Sequence, residues 1–315
     1  MPELPEVQTT VNGINATVKG LKITGVWTNY NSAHHAGKDN IKDPAFFESF
    51  KKLVIGTKIK ESTRRAKNVL IHLSNDHTII VHMKMTGHAL YGKYKLGWNE
   101  EKQKEEWVAA EAGPLRDDSF NRHIRLVFTL SDGKHLALSD LRRFAKVTIA
   151  KTDELDISEH LSTSGPEPLN DSFDLSSFKA RLAKKPNGPI KIVLMNHEVV
   201  AGIGNIYSDE ILWRAGIHPL EKVKDISSPK AALIFKAMKE ILRKGIDFGG
   251  DSMSDYRNIN GEAGEFQNKH NAYRKTGKKC TKPGCAGVIT RIKVGGRSGH
   301  FCNVHQKLSH LSSRA

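Results

Sequence analysis

The chain opens Met1-Pro2-Glu3-Leu4-Pro5-Glu6-Val7, with a proline beside the start and two carboxylates close behind it. Removal of Met1 would make Pro2 a secondary amine, a nucleophile able to form an iminium with an aldehyde-like carbon. An α-amino pKa of about 8 keeps an appreciable neutral fraction of such an amine near neutral pH. Val7, Val11 and Ile14 recur at helical spacing, so a helix is expected to begin near Pro5, proline suiting the first helical position. The positive end of that helix disfavours an ammonium and favours nearby carboxylates. On spacing alone, an ordinary capped helix after a loose terminus is the simpler reading.

A second group with chemistry lies at the other end. Cys280 and Cys285 are followed, after sixteen residues, by Cys302 and His305, two short knuckles with the sulfur and nitrogen donors of a tetrahedral zinc site. All three cysteines of the chain are used, and an odd number argues against a disulfide framework. His300 or His310 could replace His305, although the two-residue spacing from Cys302 favours His305. Between the knuckles, residues 288–293 and the Gly295-Gly296-Arg297 stretch read as a β-hairpin with Arg297 near its tip. So small a module cannot bury enough core alone, and a metal would stabilise it directly.

These groups need a scaffold. At 315 residues the chain is long enough for two domains with a small attached module. It shows no secretory signal and no apolar run of membrane-spanning length, so a soluble intracellular protein is expected, cytoplasmic and not associated with a membrane. Lys and Arg number 49 against 34 Asp and Glu, for a formal charge of +15. Such a balance suits a polyanionic partner, nucleic acid being the commonest. After Glu265 there is no acidic residue, whereas eleven Lys and Arg residues, from Lys269 to Arg314, fall in that tail.

Short β-type runs fill residues 20–150: 68–73, with Val69, Ile71 and Leu73 on one face, then 78–83, 124–130 and 145–150, with Ser131-Asp132-Gly133 as a hairpin turn. An antiparallel sandwich or flattened barrel with the first helix laid against it follows. Residues 91–118, with the charged run 99–106, break this rhythm and read as a solvated excursion, with room for one helical turn. Ser164-Gly165-Pro166-Glu167-Pro168 marks a boundary, after which helical periods take over. Helices are expected over 190–195, 206–213 and 230–244, the last starting at Ser228-Pro229, burying Leu233, Ala237 and Ile241, and ending at Gly245. Gly202 and Gly204 let the backbone approach a neighbour closely. That neighbour is either a phosphate at a helix start or simply the adjoining helix.

Taken together, these pieces resemble the formamidopyrimidine-DNA glycosylase/endonuclease VIII family of base-excision repair enzymes. The motifs carrying the resemblance are the opening heptad, Arg64-Arg65-Ala66-Lys67, His82-Met83-Lys84-Met85-Thr86-Gly87 and Asp140-Leu141-Arg142-Arg143-Phe144. Gly202-Ile203-Gly204-Asn205-Ile206-Tyr207, Ala215-Gly216-Ile217-His218-Pro219 and the terminal finger complete the set. The resemblance implies an α+β multidomain fold: residues 1–160 an N-terminal catalytic β-sandwich domain with its N-terminal helix, 161–266 a helix-two-turn-helix domain with a lesion-covering loop, and 267–315 a β-hairpin zinc finger.

The resemblance also implies a bifunctional glycosylase/lyase. Pro2 would be the nucleophile, Glu3 the proton-transferring carboxylate, Glu6 its support, and Lys67 and Arg297 would complete the catalytic set. Met85, Arg142 and Phe144 would fill the gap left by an everted base, and Asn205, with Arg297, would clamp phosphates. One structural zinc ion would sit on Cys280, Cys285, Cys302 and His305. The partner would be double-stranded DNA containing damaged bases or abasic sites, bound by a monomer in a bacterial, nucleoid-associated setting. The Arg-Arg-Phe stretch and the 260–273 segment point to the oxidised-purine branch, hence 8-oxoguanine and formamidopyrimidine opposite cytosine. Two features depart from the family pattern: Glu262 and Glu265 place acids in the covering loop, and the first knuckle is longer than usual with a histidine as last ligand. Oxidised pyrimidines or single-stranded lesions are the alternative substrates, and a non-catalytic damage binder is the alternative class.

Overall fold

The computed structural model describes residues 1–100, 103–159 and 161–309. Glu101, Lys102, His310 and Arg314 lie outside the described residues. The chain forms two compact units, Met1–Ser162 with Phe248–Glu265, and Thr163–Asp247 with Phe266–Ala315.

The first unit begins with helix α1 (Leu4–Thr17) and continues through β1 (Ile23–Thr28), α2 (Pro44–Val54), β2 (Ile59–Arg65), β3 (Asn68–Leu73), β4 (His77–His82) and β5 (His88–Gly92). Then come β6 (Tyr94–Asn99), β7 (Lys104–Ala109), α3 (Pro114–Asp117), β8 (Ile124–Leu130), β9 (His135–Ser139) and β10 (Lys146–Lys151). Two antiparallel four-stranded sheets, β1-β8-β9-β5 and β10-β4-β3-β2, make a sandwich. Val69, Ile71 and Leu73 point into its core with Ile79, Val81, Leu126, Phe128, Leu136 and Leu138, and α1 adds Val7, Val11 and Ile14 to the same core. Leu70 and Ile80, on the opposite face, are covered by Leu161, which is why β3 reads as nearly continuous apolar sequence.

Among the described residues of 91–118, strands form where the sequence suggests a solvated excursion: β6 and β7 pair in register from Tyr94↔Ala109 to Asn99↔Lys104. Only the base of this hairpin is packed, Tyr94, Ala109 and Trp107 lying against Leu90, Ile124, Val127 and Ala137. The outer part is free to carry charge, so its composition hides its strands.

The second unit holds α4 (Leu175–Ala183), α5 (Ile190–Met195), α6 (Asn205–Ala215), α7 (Ser228–Asp247) and the hairpin β11 (Ile289–Val294) and β12 (Arg297–Cys302). Gly216 ends α6 in the left-handed region, φ 73°, where a Cβ would be strained. In α7 the buried stripe is Ala231, Ile234, Ala237, Met238, Ile241 and Leu242. Leu233, expected in that stripe, faces solvent at 52% exposure, because it sits one residue off the stripe's 3–4 spacing.

The boundaries differ from three consecutive blocks at 1–160, 161–266 and 267–315. Residues 248–265 fold back onto the sandwich: Tyr91 N donates to Ile259 O at 2.8 Å, and Asn121 Nδ2 donates to Gly261 O at 2.9 Å. The hairpin module joins the helices because Glu210 of α6, fully buried, accepts the backbone amides of Asn271, Ala272 and Tyr273 at 2.8–2.9 Å.

Candidate active site and nucleic-acid interface

Proline sits in the first turn of α1 and Glu3 is its N-cap. Glu3 and Glu6 are each only 2% exposed. One Glu6 oxygen accepts the Glu3 backbone amide at 2.7 Å and the other accepts the Asp251 amide at 2.7 Å, while Tyr256 OH donates to Glu6 O at 2.9 Å. Glu6 therefore fixes the backbone that carries Glu3. The residues on the far side, Asp251 and Tyr256, are invisible to local sequence reasoning, since nothing near them in the chain signals an acid for a partner.

Helix α1 also has a defined direction on its sheet. Asn15 exchanges hydrogen bonds with the Ser62 backbone, Nδ2 to O at 2.8 Å and N to Oδ1 at 2.7 Å, while Gln8 accepts from Arg64 Nε at 3.1 Å. Moving toward the N-terminus of α1 thus means moving along β2 toward the turn at Ala66 and Lys67. Ala66 sits at φ 54° to make that turn.

The sheet register brings the other predicted residues to the same rim. Asn68 opposes His82, which opposes Lys146, and His88 opposes Ser139. The turn bearing Lys67, the loop bearing Met85, and the loop bearing Arg142 and Phe144 all leave the sandwich at this edge. Met85 and Phe144 are 40% and 47% exposed, and both stand on loops at this one edge. The Arg142 guanidinium lies 4.5 Å over the Phe144 ring, a cation–π pair.

A buried carboxylate holds that loop. Asp140, fully buried, accepts Thr86 Oγ at 2.5 Å, Tyr30 OH at 2.7 Å and Ala145 N at 2.8 Å, and Thr86 Oγ in turn accepts Arg142 N at 3.0 Å. Burial, with Asp140 beside it, pushes the Tyr30 phenol well above its ordinary pKa. At the same rim, burial and then the Lys84 and Lys67 cations press the His82 pKa down to about 3, leaving a neutral ring whose Nδ1 accepts Lys84 N at 3.0 Å. Asp140, Thr86 and His82 all lie inside the motifs read from the sequence, but their anchoring roles depend on tertiary partners.

In the second unit, Asn205 is the first residue of α6, after Gly202 at φ 86°, and Arg297 opens β12 beyond the Gly295-Gly296 turn. The ligand atoms of Cys280, Cys285, Cys302 and His305 all lie within 4.8 Å of one another. Cys285 Sγ is 3.6 Å from Cys302 Sγ, and Cys280 Sγ is 3.4 Å from His305 Nδ1. A tetrahedral zinc ion with bonds of about 2.3 Å to sulfur and 2.0 Å to nitrogen has edges of roughly 3.8 and 3.5 Å, so the quartet fits a metal ion. His305 Nε2 lies 3.2 Å from Trp213 O, which keeps the proton on Nε2 and turns an unprotonated Nδ1 to the metal position. His300, the alternative ligand, is committed elsewhere: its Nδ1 lies 2.8 Å from Asp209.

Exposed apolar and cationic side chains grouped beside a sequestered carboxylate pair suit work on an extended polyanion, and the class of protein this fold and site define is a DNA-processing enzyme. Residues 1–147 match the formamidopyrimidine-DNA glycosylase N-terminal domain and residues 164–257 the formamidopyrimidine-DNA glycosylase H2TH domain. The chain belongs to the formamidopyrimidine-DNA glycosylase family and is a DNA glycosylase with AP lyase activity. It is 36% identical to the formamidopyrimidine-DNA glycosylase of Bacillus subtilis over 306 residues, 96% of this chain and 98% of that one. Against that of Pelotomaculum thermopropionicum it is 34% identical over 308 residues, 98% and 100% of the two chains. Among solved structures, a Lactococcus lactis FPG variant in complex with Fapy-dG-containing DNA superposes with a TM-score of 0.79 at 30% identity, covering 97% of this chain and all of that one. MutM in complex with carbocyclic 8-oxo-G-containing DNA gives the same TM-score, identity and coverage. Among the described residues no helix is long and apolar enough to cross a membrane.

Proposed function

We propose that this glycosylase removes oxidised purines, 8-oxoguanine and formamidopyrimidine, from bacterial nucleoid DNA by way of a Pro2 Schiff base. With Met1 removed, the neutral amine of Pro2 adds to the sugar C1′ while the glycosidic C1′–N bond breaks, its electron pair leaving with the base, which takes up a proton. Glu3 takes the N–H proton of the Pro2 adduct and delivers it to O4′ as the C1′–O4′ bond opens, and an iminium remains. That iminium acidifies C2′. Loss of the C2′ proton expels the 3′ phosphate, loss of the C4′ proton of the conjugated iminium then expels the 5′ phosphate as the C5′–O bond breaks, and water hydrolyses the iminium to free the amine. Lys67 stabilises the departing phosphate charge, and Met85, Arg142 and Phe144 occupy the space of the everted nucleotide. Asn205 and Arg297 hold phosphates, Arg297 thereby keeping the sugar in place for attack. Zinc on Cys280, Cys285, Cys302 and His305 supplies rigidity to the hairpin that carries Arg297.

One observation carries this reading: the start of α1, the Lys67 turn and the Met85 and Arg142–Phe144 loops share one rim of the sandwich. The Fapy-dG and carbocyclic 8-oxo-G in the DNA bound by the neighbouring structures support the lesion class. Borohydride trapping tests it. The Met1-processed protein with an 8-oxoguanine:cytosine duplex is expected to give a covalent adduct that Pro2→Gly or a retained Met1 abolishes. Undiminished trapping with Met1 retained would remove Pro2 as the nucleophile, and faster excision from a thymine-glycol duplex would move the substrate to oxidised pyrimidines.

A further inference from the structure

We propose that Asp209 is a positioning residue for DNA binding, which sets Asn205 and Arg297 in register with each other. The proposal rests on reading those two residues as phosphate contacts. Asp209 lies on α6 one turn beyond Asn205, and its side chain is fully buried. A buried carboxylate persists only where charge and hydrogen bonds compensate it, and here its two oxygens face two different elements. Oδ1 accepts Lys191 Nζ of α5 at 2.7 Å. Oδ2 accepts the backbone N of His300 in β12 at 3.0 Å, with the His300 Nδ1 at 2.8 Å; a carboxylate can only accept, so Nδ1 carries the proton there.

Each partner leads directly to a phosphate-contact residue. Lys191 Nζ also reaches Asn205 O at 3.2 Å and Ser208 Oγ at 2.9 Å, and so grips the first turn of α6. His300 lies three residues past Arg297 on a strand, about 10 Å along the backbone. The hairpin lies close on α5 between these points: a Cβ on Gly299 would come 3.3 Å from Lys191 Cδ, and one on Gly295 would come 2.8 Å from Ile192 Cδ1. The metal knuckle secures the hairpin elsewhere, through His305 and Trp213 O. Asp209 is thus the link from the helix start bearing Asn205 to the strand bearing Arg297. A residue that merely filled the interior would need neither the charge nor the acceptor directed at β12.

The test uses full-length protein and a duplex containing a tetrahydrofuran abasic analogue, with Kd measured across a salt series. Asp209→Asn, and the Lys191→Met/Asp209→Leu pair that removes both buried charges while keeping apolar volume, are expected to weaken binding about tenfold. They are expected to lower the slope of log Kd against log salt by about 0.9, one phosphate's worth. Metal content should match the parent, and affinity should fall more than the single-turnover excision rate at saturating protein. A folded, metal-loaded double variant with parental Kd and slope would reduce Asp209 to an interior filler and overturn the proposal. Asn205→Ala and Arg297→Ala separate the two failures: unchanged slopes in those variants would instead sink the phosphate-contact reading.

Discussion

The Glu6 carboxylate bridges two backbone amides, those of Glu3 and Asp251, the second 245 positions away in the chain. The helix start that carries the proposed Pro2 nucleophile is thereby fixed by a segment that follows α7. Glu6→Gln would turn an amide NH2 toward one of these N–H groups and leave that buried donor unsatisfied, at about 1–3 kcal/mol. Thermal unfolding should show the loss, and single-turnover excision should fall at least tenfold because Glu3 and Pro2 lose their fixed backbone. Parental stability together with parental excision would show that Glu6 is not the anchor.

The Arg142–Phe144 loop separates display from support. Phe144 is half exposed, so Phe144→Ala should change stability by no more than about 0.5 kcal/mol while cutting excision from duplex DNA at least tenfold and from a single-stranded lesion much less. Asp140→Asn should do the reverse first: one of the donors Tyr30 OH, Thr86 Oγ and Ala145 N would lose its acceptor, with a cost of about 1–3 kcal/mol for that group. Urea unfolding beside excision assays on the two substrates checks both. A Phe144→Ala variant equally impaired on both substrates would mean that Phe144 does not act by filling a duplex.

Much of this was legible in the sequence, for local reasons. Strands β3, β4 and β8 and helices α5 and α6 were visible because apolar period and turn residues agree there. Helices α2 and α4 carry a cap signal in their leading aspartates: Asp43 accepts Ala45 N at 3.2 Å ahead of Pro44, and Asp174 accepts Ser177 N at 2.8 Å. Hairpin β6–β7 was obscured because only its base is buried. At the site, Pro2, Glu3, Lys67 and Phe144 could be singled out by type and motif. Asp140, Asp209, Glu210 and Asp251 could not, because a carboxylate's role is set by the donors that folding brings to it. Lys191 was the nearest to a signal, a lone cation inside the apolar run of α5.

Metal removal should reach DNA binding through the hairpin. Without an ion, three cysteines and His305 at 3.4–3.7 Å separations lose what holds them together, and the finger's small core cannot replace it. A chelator-treated protein, verified metal-free, is expected to unfold at lower temperature and to bind tetrahydrofuran duplex at least tenfold more weakly, with recovery on adding back zinc. Unchanged affinity after verified removal would disconnect the metal site from the Arg297 hairpin.

The His82 ring gives the rim a pH dependence whose sign is fixed. Its pKa falls from the ordinary 6.5 to about 3, first through burial and then through Lys84 and Lys67. Below pH 6.5 the unfolded chain takes up a proton that the folded ring refuses, so this contribution to stability is complete above pH 6.5 and is lost progressively down to about pH 3. His82→Gln keeps an acceptor for Lys84 N but cannot titrate. Urea unfolding of both proteins from pH 7 to pH 4 should therefore show the parent losing stability more steeply, the difference growing as pH falls. Parallel curves would mean that His82 is protonated in the folded state, and that the cations at this rim do not face a neutral ring.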